Sequence, residues 1–92
     1  MLEEPLQSHE VKHLIRNLLD EGVVEFSNHA EAEMKADNLS ELDIVNVLRG
    51  GWPGPGELER GSWRYRVSTS SITVVVAFRN ESWLVVVTAW RE

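Results

Sequence analysis

Cysteine is absent from this chain, which removes disulfides, thiolate zinc sites and cysteine nucleophiles together. No apolar run approaches the ~20 residues that a membrane span requires. Met1 to Gln7 is acidic and polar, not charged and then apolar, so no targeting leader and no membrane partner are expected and the expected address is cytoplasmic. No Ser-His-Asp order, phosphate-binding glycine loop or carboxylate cluster with ligand spacing occurs. Positive charge is also scarce, with 9 Lys and Arg against 15 Asp and Glu, a balance that argues at first sight against a nucleic-acid partner.

The distribution of charge qualifies that exclusion. Residues 1–59 carry 13 acidic and 4 basic side chains, whereas residues 60–92 carry 5 arginines against Glu81 and Glu92. One reading is acidic solvent faces on helices and arginine guards on strands; the other is a basic functional face confined to the C-terminal third. At 92 residues, 42% of them apolar, the chain is expected to form a single domain over 1–92 that buries roughly 60–65% of its unfolded surface.

Residues 1–7 lack periodicity and read as a loose lead-in. Ser8 is placed to cap a helix from His9 to about Asp20, with Val11, Leu14, Ile15, Leu18 and Leu19 on one stripe and Gly22 as the stop. Val23 to Ser27 is a brief strand or an extended connector. Asn28, with Glu31 three residues on, predicts a second helix start running to about Asp37. Ser40 and Asp43 repeat that pattern and open a third helix to about Arg49, with Leu42, Val45 and Leu48 inward and Ile44 and Val47 close by. Trp52 to Gly56, W-P-G-P-G, is a hinge between this helical half, 8–51, and a sheet half, 57–91.

In the sheet half, Glu57 to Arg60 reads as an edge strand followed by a tight turn at Gly61-Ser62. Trp63 to Ser68 alternates Trp63, Tyr65 and Val67 against Arg64, Arg66 and Ser68, and the runs Ile72–Arg79 and Trp83–Arg91 are apolar on both faces, as central strands are. The fold class is therefore α+β, two or three N-terminal helices on one face of a three- to four-stranded antiparallel sheet.

Arg64 and Arg66, two positions apart on a strand, hold their guanidiniums about 7 Å apart, comparable with successive phosphates of a nucleic-acid strand. Either they bind phosphate, with Tyr65, Trp83 and Trp90 as stacking surfaces, or they pair with Glu57 or Glu59 across the hairpin. Tyr65 is either an acid or base tuned by flanking arginines or a core tyrosine; the tryptophans are expected mostly in the core, with Trp52 the most exposed. His29 either shuttles a proton or braces its helix. H-E-V-K-H, residues 9–13, matches a zinc-protease pattern, but His9 and His13 fall opposite the apolar stripe, which reads as two surface histidines; no metal and no cofactor are expected.

Residues 26–51, F-S-N-H-A-E-A-E-M-K-A-D-N-L-S-E-L-D-I-V-N-V-L-R-G-G, with the ending R-Y-R-V, V-V-V and V-V-V-T-A-W-R, resemble a family of small bacterial proteins related to the RelE and MqsR toxins. The resemblance implies a RelE-like fold and metal-independent cleavage of messenger RNA, on or off the ribosome, by a type II toxin whose partner is a cognate antitoxin. It implies His29, Tyr65 and Arg66 as catalytic residues and Arg64, Arg66, Arg79 and Arg91 as RNA-binding residues. Where that family would place arginines after its S-x-H-A opening, this chain has Glu33 and Asp37. The alternative is a non-catalytic binding module of the same fold, dimeric through a strand edge, whose basic strip meets a protein partner.

Overall fold

The computed structural model describes residues 2–92; Met1 lies outside the described residues. Three helices and six strands follow one another as α1 (Ser8–Glu21), β1 (Val23–Phe26), α2 (Asn28–Ala36), α3 (Glu41–Gly50), β2 (Trp52–Pro53), β3 (Glu57–Glu59), β4 (Ser62–Ser68), β5 (Ile72–Asn80) and β6 (Trp83–Arg91). This is the α+β class the patterning leads to, with a larger sheet than expected. The strands run in the order β1-β6-β5-β4-β2, with β3 also on the outer edge of β4. All neighbours are antiparallel except β1, which pairs parallel with β6 from Val23 opposite Trp83 to Phe26 opposite Val86.

Helix starts explain the local order. Gln7, not Ser8, caps α1, and the Glu10 carboxylate accepts from the Gln7 N–H at 2.9 Å. Ser27, not Asn28, caps α2: its Oγ accepts from Ala30 N at 3.0 Å and donates to Val87 O at 2.9 Å, which fixes the helix start against β6. Ser40 and Asp43 form the expected reciprocal box at the start of α3, and those bonds from Ser40 hold the Asp43 carboxyl below its usual range. On α3 the buried side chains are Ile44, Val47 and Leu48, while Leu42 is 67% exposed; the stripe is turned from the expected phase.

α1 and α3 lay their stripes on one face of the sheet, where Val11, Ile15, Ile44 and Leu48 meet Tyr65, Val67, Val74, Val76, Phe78, Leu84 and Val86 in a single core. α2 lies instead along β6 beyond the end of β1, burying Ala30 and Met34 in that core. Sheet edge and helix thus share one side of β6, and among the described residues the second face of the sheet carries no helix.

The lead-in is not loose. Leu2 and Leu6 pack on the core, and the Tyr65 hydroxyl donates to the Glu4 carboxylate at 2.8 Å and accepts from Leu6 N at 3.0 Å. Gly56 permits this approach, since a Cβ there would come within 3.0 Å of both Pro5 Cβ and Tyr65 Cε1. Trp52 is 59% exposed, as expected, but the other tryptophans depart from expectation: none is fully buried, and Trp83 is 36% exposed.

Two irregularities shape the open face. Arg60 and Gly61 have positive φ, 51° and 79°, closing β3 onto β4 by the mirror-image turn that matches strand twist. In the β5–β6 ladder the register shifts between Val75, opposite Thr88, and Val76, opposite Val86, leaving Val87 as a bulge. Strict alternation from Leu84 and Val86 would send Trp90 into the core. The bulge sends Ala89 inward, fully buried, and turns Trp90 to the open face.

Candidate functional site

The open face holds a cleft of about 250 Å³ between the β3–β4 hairpin and the start of α2. Its floor is Val75, Val87, Thr88 and Trp90; Glu57, Glu59, Arg64 and Arg66 stand on one side and His29 on the other. Ser27, anchored to Val86 and Val87 backbone, sets where α2 begins and hence where His29, exposed on the first turn, meets the sheet. Residues far apart in the chain converge there.

Inside the cleft the two arginines are paired. Glu57 lies opposite Arg64 in the ladder, and the ion pairs run diagonally: Arg66 Nε to Glu57 at 3.2 Å and Arg64 to Glu59 at 3.6 Å. The Arg66 guanidinium also stands 5.7 Å from the Trp90 ring centre, a cation–π contact. Both ion pairs keep solvent contact, the Arg66 and Glu57 side chains being 58% and 60% exposed, so each contributes at most about 1 kcal/mol. Arg64 is more enclosed, and its Nε is buried without a hydrogen-bond partner among the described residues. A donor in that state carries a desolvation cost of about 1–3 kcal/mol with no bond to offset it.

A second hollow, of about 390 Å³, adjoins the first through Arg64 and Val87 and reaches Arg79. Arg79 pairs with Glu25 at 3.7 Å and stacks 5.2 Å from Trp83, whose indole N–H also donates to Glu25. Three guanidiniums and three carboxylates therefore alternate on this face, and its net charge is close to balanced.

Of the six residues singled out in the sequence, His29, Arg64 and Arg66 come together in the cleft and Arg79 lies in the adjoining hollow. Tyr65 does not join them. It is fully buried on the opposite face of β4, and burial, with the neighbouring Glu4 carboxylate, pushes its pKa up to about 12. A phenol that holds its proton this firmly and has no path to the cleft is a core tyrosine. Arg91 is also structural: its Nε donates to Asp37 O at 2.9 Å and its terminal nitrogen to Asn38 O at 3.1 Å, while Asp37 Oδ2 accepts from Arg91 N. The guanidinium clamps the end of α2 to the end of β6, and Asp37, standing where the toxin-like pattern would have arginine, is its counterpart. His9 and His13 are exposed on the outer side of α1, and among the described residues no group of three or more His, Cys, Asp or Glu gathers at ligand spacing.

Glu57, Glu59, Thr88 and Trp90 complete the cleft; the sequence offered Glu57 and Glu59 as partners of the arginines and Trp90 as a stacking surface, and Thr88 was not singled out. The turn lies at Arg60-Gly61, one residue before the expected Gly61-Ser62, and still sets the carboxylates beside the arginines, whereas the position of Trp90 depends on the bulge, which no run of residues announces.

Neither the curated proteins nor the solved structures contain a match to this chain. Residues 26–91, from the end of β1 to the end of β6 and including every residue of the cleft, match the family described as "Domain of unknown function (DUF4258)". The chain belongs to that family.

Proposed function

We propose that the cleft binds single-stranded RNA and cleaves it, and that the protein is the toxin-like ribonuclease of a type II toxin–antitoxin pair acting on messenger RNA in the cytoplasm. The observation that carries this reading is the convergence of His29 from α2 with Arg64 and Arg66 from β4 around one open cleft. In the reaction the ribose 2′-oxygen attacks the adjacent phosphorus, the bond to the 5′-oxygen breaks, and a 2′,3′-cyclic phosphate and a 5′-hydroxyl result. Arg64 and Arg66 bind the phosphate and stabilise the charge that develops on it. His29 moves a proton, being the one imidazole among the cleft's lining residues. Trp90, half-buried in the floor, supplies a face on which an unpaired base stacks.

The ion pairs favour a second reading. Because each cleft arginine already has a carboxylate partner, a phosphate must displace Glu57 or Glu59, and a protein partner bearing both charge signs would not. On that reading the face is a non-catalytic binding surface. Induced expression in a strain without an antitoxin separates the two: the ribonuclease reading expects arrest of growth and translation, relieved by Arg66→Ala in a folded protein. A stable, non-toxic protein that retards no RNA at low salt would favour the binding module.

A further inference from the structure

Cleavage through the 2′-hydroxyl needs two proton transfers, one from the attacking oxygen and one to the departing oxygen, on opposite sides of the phosphorus. His29 can stand on only one side. Tyr65, the other candidate by sequence, is sealed in the core. We infer that Glu57 is the second catalytic residue, accepting the 2′-hydroxyl proton while His29 protonates the leaving 5′-oxygen; this rests on the ribonuclease reading above.

Position supports it. Sheet order sets β3 and the start of α2 at opposite sides of the cleft, so Glu57, on the side that carries Arg64 and Arg66, and His29 lie across its floor from each other. The Glu57 carboxylate is 60% exposed and lies 3.2 Å from Arg66 Nε, so a phosphate held by Arg66 has this carboxylate as its immediate neighbour. Glu59 is less well placed, since it pairs with the more enclosed Arg64, whose side chain is 27% exposed. The step balances without a further reactant. Glu57 takes the proton, the O2′–P bond forms, the P–O5′ bond breaks, and the histidinium proton passes to O5′. Solvent then carries the proton from Glu57 back to His29.

The pairing with Arg66 also gives the inference a signature. Removing the charge of Glu57 takes away a base and at the same time frees a phosphate-binding guanidinium, so turnover and affinity should move in opposite senses. The test uses the full chain, a short RNA and the same sequence with 2′-deoxyribose throughout, which binds but cannot be cut. Glu57→Gln should lower kcat by about 10²–10⁴-fold, bind the deoxy strand at least as tightly as the wild type, and lose the acidic limb of the pH–rate profile. Glu57→Asp should recover part of the rate. Cleavage by Glu57→Gln within about twofold of wild type would overturn the inference and leave the ribonuclease reading standing. Equal losses of binding and rate would make Glu57 only a brace for Arg66. A wild type that cuts no RNA would overturn reading and inference together.

Discussion

Tyr65 is the chain's one tyrosine, so its phenol can be followed alone by ultraviolet absorbance. Burial raises its pKa from about 10 to about 12, which means the folded state favours the protonated phenol. Its contribution is therefore complete below pH ~10 and is lost as pH rises through 12, amounting to about 2–3 kcal/mol. Tyrosinate should appear near pH 12 in native protein and near pH 10 in denaturant; equal midpoints would contradict its burial. Tyr65→Phe leaves the Glu4 carboxylate and Leu6 N–H without their partner and should cost about 1–2 kcal/mol by denaturant titration, without effect on the cleft. Alternation along β4 made this residue legible as core, and it made the opposite facing of Arg64 and Arg66 legible too. The ladder sets Glu57 opposite Arg64 and the ion pairs run diagonally from it, but that Glu57 or Glu59 would pair with these arginines was within reach of the sequence. The unpartnered Nε of Arg64 was not, since it depends on packing around one atom.

The bulge at Val87 decides what the face contains. A register slip of one residue exchanges the two faces of a strand, and here the slip occurs within β6, after its first residues have been committed to the core. Deleting Val87 removes the bulge while keeping Thr88, Ala89 and Trp90 opposite Val75, Val74 and Thr73, so Trp90 should stay on the open face and the cost should be about 1 kcal/mol, from the lost bond of Ser27 Oγ to Val87 O, measured by chemical denaturation. A neutral deletion would show that the bulge is dispensable. The other positional device is the clamp between Arg91 and the end of α2, which a run of residues cannot announce because its acceptors are backbone carbonyls of Asp37 and Asn38. Arg91→Ala should lower stability by about 1 kcal/mol and leave RNA binding unchanged, whereas a phosphate-binding Arg91 would show the reverse. The strands β4, β5 and β6 were legible from β-branched runs and turn residues, whereas β2, at Trp52–Pro53, lies in the stretch read as a hinge and pairs at the edge of β4. The parallel pairing of β1 was not legible, because four residues carry no mark of which neighbour they will join.

As a whole the molecule separates charge by sequence yet brings it back together in space. The acidic excess of residues 1–59 includes Glu25, Glu57 and Glu59, and the fold returns these to the arginines of the C-terminal third. A count by halves thus pointed to the strands whose arginines line this cleft and overstated its positive charge. With two guanidiniums meeting phosphate, the slope of log affinity for single-stranded RNA against log salt should be shallow, about −1.4. A slope several times steeper would mean that cations outside the cleft carry binding.

Incubation of the purified chain with an RNA oligonucleotide and its 2′-deoxy counterpart in chelator, free and with ribosomes, tests the central claim most directly. Only RNA should be cut, the fragments should end in 2′,3′-cyclic phosphate and 5′-hydroxyl, and Arg66→Ala should lower the rate by about 10²–10³-fold in a folded protein. Intact RNA under both conditions, or cleavage that Arg66→Ala leaves unchanged, would contradict it.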